Sequence, residues 1–382
     1  MLKRDIQRVV TKHNKVYEQL LQSVRAGFYD PGERMPNEKQ FAAQFQVSVG
    51  TITRVLETLV REGVLTRRRG SGTYISTAPA AEAEEPHIIF VLRSATDINS
   101  HAYLQPIFHA LSESTTRQGV SFEVAVVAPA HWQELPRRFP GSGFYFVSPV
   151  LESLPMLVRL WDRHPCFVVV GASWDEPVPF PTVDCDNRRG AHCAVEYLLH
   201  LGHRRIAMIN GEESSTNCRD RRRGYEEALG LWDIPADPSR LVQADGSMEL
   251  SSVARNRVMN LLLARQGPTA IFCAGYYLAL EVIDIARQLD VALPAHLSVI
   301  AVDNPKSAQY LQPPLTTLCQ PLAEIGARGA ARLLSLMRNG TSGIEPSEQL
   351  PAELILRGSC APPREMLSHA AHPEASRPLA AF

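Results

Sequence analysis

Three consecutive arginines, Arg67, Arg68 and Arg69, stand beside Gly70 and Gly72 between two short apolar runs. Guanidinium groups on a glycine-containing tip suit a polyanion. They neutralise phosphates and release counterions, and a flexible basic finger fits a backbone or a minor groove. A solvated basic loop has the same composition, so the elements around the tip must decide. Tyr17, Leu20, Leu21, Val24 and Phe28 recur at helical spacing, and Gly27 with Pro31-Gly32 ends that helix. Asn37 is placed to cap a second helix, with Gln40 in the reciprocal position and Phe41, Ala42 and Phe45 facing inward. After Gln46-Val47, Ser48 is placed to cap a third helix with a buried stripe of Ile52, Val55, Leu56 and Leu59. Val64–Arg67 and Thr73–Ile75 read as two strands around the tip. Three helices and a wing are expected. On the third helix the outward positions are Gly50, Thr51, Thr53, Arg54, Glu57 and Thr58. Small polar groups near a helix start permit close approach to bases, and Arg54 reaches a base or a phosphate.

The charge distribution agrees. Residues 1–76 hold thirteen Lys and Arg against seven Asp and Glu, so in a chain of net charge −1 the remainder carries −7. Only the basic first part is expected to meet a polyanion. The opening MLKRDIQRVVTKHNK has no apolar run behind its charges, and no stretch approaches the roughly 18 apolar residues of a membrane span. Neither an export signal nor a membrane partner is expected. The seven cysteines form no C-x-x-C pair, and Cys166 and Cys273 sit in apolar runs, as reduced thiols of a cytoplasmic protein do.

The stretch TAPAAEAEEP (77–86) lacks large apolar side chains and reads as a linker. Beyond it, the runs IIFVL, FEVAVV, FYFV, FVVV, RIAMI, AIFC and SVIAV alternate with amphipathic stretches. That texture predicts an α/β fold of parallel strands covered by helices on both faces, doubly wound in two lobes. Ligands of such folds collect at the carboxyl ends of the strands. The exits offer Arg93-Ser94, Ser148, Ser173-Trp174, Gly211-Glu212, Gly275-Tyr276 and Asp303-Asn304. Ser94, Trp174 and Tyr276 are candidates to hold a polyhydroxylated or heteroaromatic ligand. The tail from residue 361 to 382 lacks periodicity and is expected to be disordered.

Two resemblances carry the reading further. YEQLLQSVRAGFYDPGERMPNEKQFAAQFQVS and LVREGVLTRRRGSGTYI resemble the GntR-type winged helix-turn-helix. This implies DNA contacts at Lys39, Ser48, Gly50, Thr51, Thr53, Arg54, Arg69, Gly70 and Gly72. Many members carry Arg where this chain has Val49 and Thr53, a departure that leaves the fold untouched and the operator sequence open. VDCDNRRGAHCAVEYLLHLGHRRIAMINGE, DRRRGYEEAL and the segment from PTAIFCAGYY to GARGAARLL resemble the LacI/GalR effector domain over residues 87–360. This implies two periplasmic-binding-protein-like lobes, a small-molecule effector between them, and a homodimer. By position it implies Arg221 as the effector clamp, Asp303 as the acceptor for ligand hydroxyls or ring nitrogens, and Phe272 as a wall. Gly275-Tyr276 departs from the Asn-Asp or Gly-Asp of most relatives, and the acidic linker replaces a DNA-bound hinge helix.

A transcription regulator, repressing by family default and binding operator DNA under effector control, is therefore expected. The alternative is a small-molecule-binding protein or enzyme on the same two-lobed fold. The chain lacks the motifs G-x-x-x-x-G-K-[ST], H-E-x-x-H and G-x-S-x-G, and a pyridoxal-type fusion would need a far longer second domain. His200 and His203 read as surface or capping groups. No catalytic residue, metal or cofactor is expected.

Overall fold

The structure, a computed structural model, describes residues 12–25, 28–30, 32–61, 63–68, 71–76, 86–94, 101–244, 248–343 and 347–364. Its contacts divide the chain into two units, Met1–Glu85 and Pro86–Phe382. Most of the expected linker and tail, residues 77–85 and 365–382, lie outside the described residues.

The first unit holds helices α1 (Lys12–Arg25), α2 (Glu38–Phe45) and α3 (Val49–Arg61) and the antiparallel pair β1 (Leu65–Arg68) and β2 (Gly72–Ile75). Its core is the set expected from periodicity: Leu20, Phe41, Ile52, Val55, Leu56 and Leu59, with Leu65 and Ile75 from the hairpin. Asn37 caps α2 by accepting the Gln40 N–H at 2.9 Å, and Gln40 returns the contact to the Asn37 N–H at 2.8 Å. Gln46 turns the chain in the left-handed region, φ 53°. Ser48 Oγ then accepts the Thr51 N–H at the start of α3. One expectation fails. Phe28 is 78% exposed and lies outside α1.

The second unit is a pair of six-stranded sheets. In chain order its elements are β3 (His87–Leu92), α4 (His101–Thr116), β4 (Ser121–Val126), α5 (Leu135–Arg138), β5 (Gly143–Val147), α6 (Leu154–Arg163), β6 (Phe167–Val170) and β7 (Thr182–Cys185). Then come α7 (Asn187–His200), β8 (Ile206–Asn210), α8 (Thr216–Leu231), β9 (Leu241–Gln243), α9 (Ser252–Leu263), β10 (Ala270–Cys273) and α10 (Tyr276–Gln288). The unit closes with β11 (Ser298–Val302), β12 (Thr316–Cys319), α11 (Leu322–Asn339), β13 (Ser347–Leu350) and β14 (Glu353–Ile355). One sheet runs β13-β7-β6-β5-β3-β4, all parallel; the other runs β14-β12-β11-β10-β8-β9, with only β14 antiparallel. The chain therefore passes between the lobes after β7, after β12 and after β13. Each sheet is covered by helices on both faces, so β5 and β6, or β8 and β10, are buried along their whole length.

His203 departs from its expected surface role. It is 1% exposed, with Nδ1 on Thr269 Oγ1 at 2.9 Å and Nε2 within 3.1 Å of Ser298 Oγ and the Ala361 carbonyl. Burial holds its pKa down at about 4, so it is a neutral strut at the base of the second sheet. His200 is exposed, its ring edge-on to Trp232.

Candidate functional site

In the first unit the helix pair α2–α3 and the hairpin present their polar groups outward. Gly50, Arg54 and Lys39 are exposed, and Thr51 is half-buried with its Oγ1 2.8 Å from Ser48 Oγ. Thr53 is engaged from within: its Oγ1 donates to the Val49 carbonyl at 3.0 Å and to Glu38 Oε2 at 3.2 Å. The same carboxylate holds Arg67, with Nη2 2.5 Å from Oε1. Arg67 pairs across the hairpin with Thr73, whereas Arg68 pairs with Gly72, so the two guanidiniums leave on opposite faces. Arg68 lies over the Tyr74 ring, 4.6 Å from its centroid. Arg69 and Gly70 lie outside the described residues. Gly72, at φ 120°, occupies a conformation that favours glycine, and a Cβ there would sit 3.2 Å from Arg34 Nε. Arg34 was missed because it precedes α2 in sequence. Its bridge to Tyr74 brings it to the wing.

In the second unit a cavity of about 620 Å³ opens where the carboxyl ends of the two sheets meet. One lobe contributes Arg93, Tyr103 and Ser148; the other contributes Arg221, Met248, Tyr276 and Asp303. Arg221, on α8, is 4% exposed. Its Nε donates to Asn187 Oδ1 at 2.8 Å and its Nη1 to the Ala274 carbonyl at 2.7 Å. Nη2 makes no hydrogen bond among the described residues, which leaves one positioned donor. Asp303, at φ 74°, accepts Gln320 Nε2 at 2.6 Å and the backbone N–H of Tyr276 at the start of α10. Burial pushes its carboxyl above the usual range, and the Arg221 guanidinium opposes that shift.

A second buried carboxylate stands near this pair. Asp184, at the end of β7, is 1% exposed; its Oδ1 accepts the Cys185 N–H at 2.7 Å. Its Oδ2 has no partner among the described residues. Burial raises its pKa to about 7, against the pull of that N–H and of Arg221. Tyr103, on α4 of the same lobe as Asp184, lines the cavity. Its hydroxyl accepts from Ser148 Oγ at 3.1 Å and fills the space of a side chain at Gly171, where a Cβ would lie 1.9 Å away.

Three expected ligand contacts sit elsewhere. Phe272 is fully buried among Met208, Tyr225 and Ile300, because alternation along β10 turns it to the face packed by α7 and α8. Trp174 packs edge-on to Phe180 at 5.7 Å, in the outer layer of the first lobe. Ser94 follows Arg93 but is not among the residues that line the cavity. Tyr276 does line it, yet it is 5% exposed and its hydroxyl donates to Ser307 Oγ at 2.8 Å. Tyr103 and Met248 were missed, since neither follows an apolar run. Among the described residues no group of His, Cys, Asp and Glu is arranged to hold a metal, and no helix is long and apolar enough to cross a membrane.

Comparison with known proteins agrees with both halves. Residues 12–75 match the bacterial regulatory proteins of the gntR family, and residues 195–360 match a periplasmic binding protein-like domain. The repressor CytR of Escherichia coli (strain K12) is 36% identical over 192 residues, which are 50% of this chain and 55% of CytR. The chain thus spans about half the length of that relative. The helix-turn-helix regulator AglR of Rhizobium meliloti is 30% identical over 349 residues, covering 85% of this chain and 94% of AglR. A LacI family regulator from Enterococcus faecium, solved with bound ribose, superposes with a TM-score of 0.61 at 23% identity, over 72% of this chain and 99% of its own. The chain belongs to the helix-turn-helix transcriptional regulators, with a GntR-type head and a periplasmic-binding-protein-like domain.

Proposed function

We propose that this protein represses transcription as a homodimer on a two-fold operator, and that a sugar or related metabolite in the cavity of the second unit controls its affinity for DNA. The observation that carries the reading is Arg221: a buried guanidinium with, among the described residues, two nitrogens anchored and one left over, lining the same cavity as Asp303. A donor and an acceptor held this way read adjacent hydroxyls, and the bond geometry is fixed before the ligand arrives. The ribose in the structure from Enterococcus faecium supports a ligand of this class. On the DNA side, Lys39, Ser48, Gly50, Thr51, Arg54, Arg68 and Gly72 form the contact surface, with Arg67 and Thr53 positioned through Glu38. Arg69 and Gly70 belong to the same tip by sequence.

A dimer follows from information content, since one small winged helix reads too few base pairs for useful specificity. Burial raises the pKa of Cys218 in the cavity lining, which disfavours a thiolate nucleophile there. The test selects duplexes from a random pool by fluorescence anisotropy, then titrates pentoses, hexoses, sugar acids and nucleosides against the complex. One of these shifts the DNA affinity and raises the melting temperature. A protein that selects no sequence, or whose selected complex ignores every ligand that raises its melting temperature, refutes the reading.

A further inference from the structure

A second cavity, of about 570 Å³, also spans the two lobes. Gln105 on α4 lines it from the first lobe, and Asn304 and Lys306 after β11 line it from the second. Gln320 and the start of α11 come from the crossing between them. This cavity backs onto the one that holds Arg221, because neighbours in the chain divide between the two. Leu104 and Asp303 line the first, and Gln105 and Asn304 line the second.

The polar groups left over in this lining are chiefly donors. Lys306 is exposed and makes no ion pair or hydrogen bond through its side chain among the described residues, and the same holds for Gln105. Asn304 Oδ1 is taken by Thr317 and Arg357, which leaves its Nδ2 over. The helix α11 is 18 residues long and opens on Pro321, which supplies no side-chain cap. The N–H groups of Ala323 and Glu324 therefore have no partner among the described residues. The carboxylate of the lining, Glu324, is turned to Arg328 at 2.5 Å. One buried atom asks for the opposite kind of group. Gln320 is 6% exposed; its Nε2 is spent on Asp303, and its Oε1 has no hydrogen-bond partner among the described residues. An orphaned buried acceptor is unfavourable, and a ligand hydroxyl relieves it.

We infer that this second cavity is a binding site for a small hydroxylated oxyanion, a sugar phosphate or a sugar acid. The oxyanion meets Lys306 and the start of α11, where free N–H groups and the helix dipole favour negative charge. A hydroxyl meets Gln320 Oε1. The occupant spans both lobes and touches the residue that holds Asp303, yet it takes neither Arg221 nor Asp303, so it does not compete with an effector in the first cavity.

Isothermal titration on the full-length protein compares glucose 6-phosphate, ribose 5-phosphate and gluconate with glucose, ribose and inorganic phosphate. At least one of the three oxyanions binds about ten-fold or more tighter than its neutral counterpart and than inorganic phosphate. Which one it is tells a phosphoryl site from a carboxylate site. Replacing Lys306 and Gln105 together by Ala brings that oxyanion down to its neutral counterpart; both side chains are exposed, and thermal melting checks the fold. Arg221→Ala leaves the oxyanion bound. A preference that survives in the Lys306→Ala, Gln105→Ala protein overturns the inference. So does its loss in an Arg221→Ala protein that still melts cooperatively, because the oxyanion then sits in the first cavity. Inorganic phosphate that binds as tightly as the sugar anions overturns the hydroxyl contact at Gln320. If no oxyanion binds better than its neutral counterpart, the site itself is overturned, and the effector reading of the first cavity is untouched.

Discussion

In the first unit most candidate residues are exposed and lightly held: a capping serine, a Glu38 shared by Thr53 and Arg67, a tyrosine under Arg68. In the second unit Arg221 is buried and Asp303 lies in the cavity wall, and each is held by fixed hydrogen bonds. Arg221 rests on Asn187 and Ala274, and Asp303 on Gln320 and the start of α10. The contrast follows from what each site would bind. A duplex is large and brings its charge to the protein, so exposed guanidiniums suffice, and each is worth little to the fold. A small ligand must be enclosed, so its partners are desolvated in advance. A buried charge is costly unless its partners are fixed. Changes in the second unit therefore strike folding and binding together, whereas changes in the first strike binding alone.

The largest effect is expected at Arg221. Arg221→Ala removes the cation that opposes two buried carboxylates, Asp303 and Asp184. It also leaves Asn187 Oδ1 and the Ala274 carbonyl without their buried donor, so stability falls by about 3 kcal/mol in urea unfolding, and effector binding is lost in calorimetry. A variant of wild-type stability with full effector binding breaks the comparison at its strongest point.

Next is the pH dependence of the second unit. In the folded chain Asp184 keeps its proton up to about pH 7, while in the unfolded chain it releases it near 3.8. Its contribution is complete below about pH 4 and is lost as pH rises through 7. His203 has the opposite sign. Its pKa falls from 6.5 to about 4 on folding, so its contribution is present above 6.5 and lost as pH falls through 4. Between pH 4 and 6.5 the two slopes offset each other. Asp184→Asn leaves that of His203 alone, and its stability climbs over this range more steeply than wild type, by up to about 1.4 kcal/mol per pH unit in urea unfolding. Parallel curves for the two proteins would show that Asp184 is already ionised.

For the wing, the expected effect lies in the salt slope of binding to a random duplex. Removing one phosphate contact lowers the slope by about 0.9. Arg68→Ala removes close to one such contact. Arg67→Ala removes less, because Glu38 already counters that charge. Folding is untouched in both. Equal slopes for the two variants would show that DNA pulls Arg67 away from Glu38.

The smallest effect belongs to Tyr276→Phe, which takes one hydrogen bond from Ser307 and costs about 1 kcal/mol of stability. If the variant binds an effector ten-fold more weakly, the hydroxyl serves the ligand instead.

The three-helix unit was legible because its signals are local. Asn37 and Gln40 meet within one turn, and the stripe from Ile52 to Leu59 repeats with the helix, so types and spacing suffice. Phe28 misled because it lies past the helix, where helical spacing no longer fixes which face a side chain takes. In the second unit the apolar strands were legible for the same reason, while Thr182–Cys185, Thr316–Cys319 and Ser347–Leu350 were not. Those strands run near the crossings between lobes, and their polar residues find partners only after the lobes have formed, as Thr317 does with Asn304 and Arg357. Sequence alone placed Arg221, Asp303 and Tyr276 at the cavity, two by resemblance and one by following a strand. It misplaced Phe272 and Trp174 because the face to which a fully apolar strand or its exit turns a side chain is set by layer packing, not by composition. Met248 and Tyr103 became visible only in three dimensions. Each fills the missing side chain of a glycine far along the chain, and Gly211, Gly275 or Gly171 does not say in sequence which residue will occupy the space beside it.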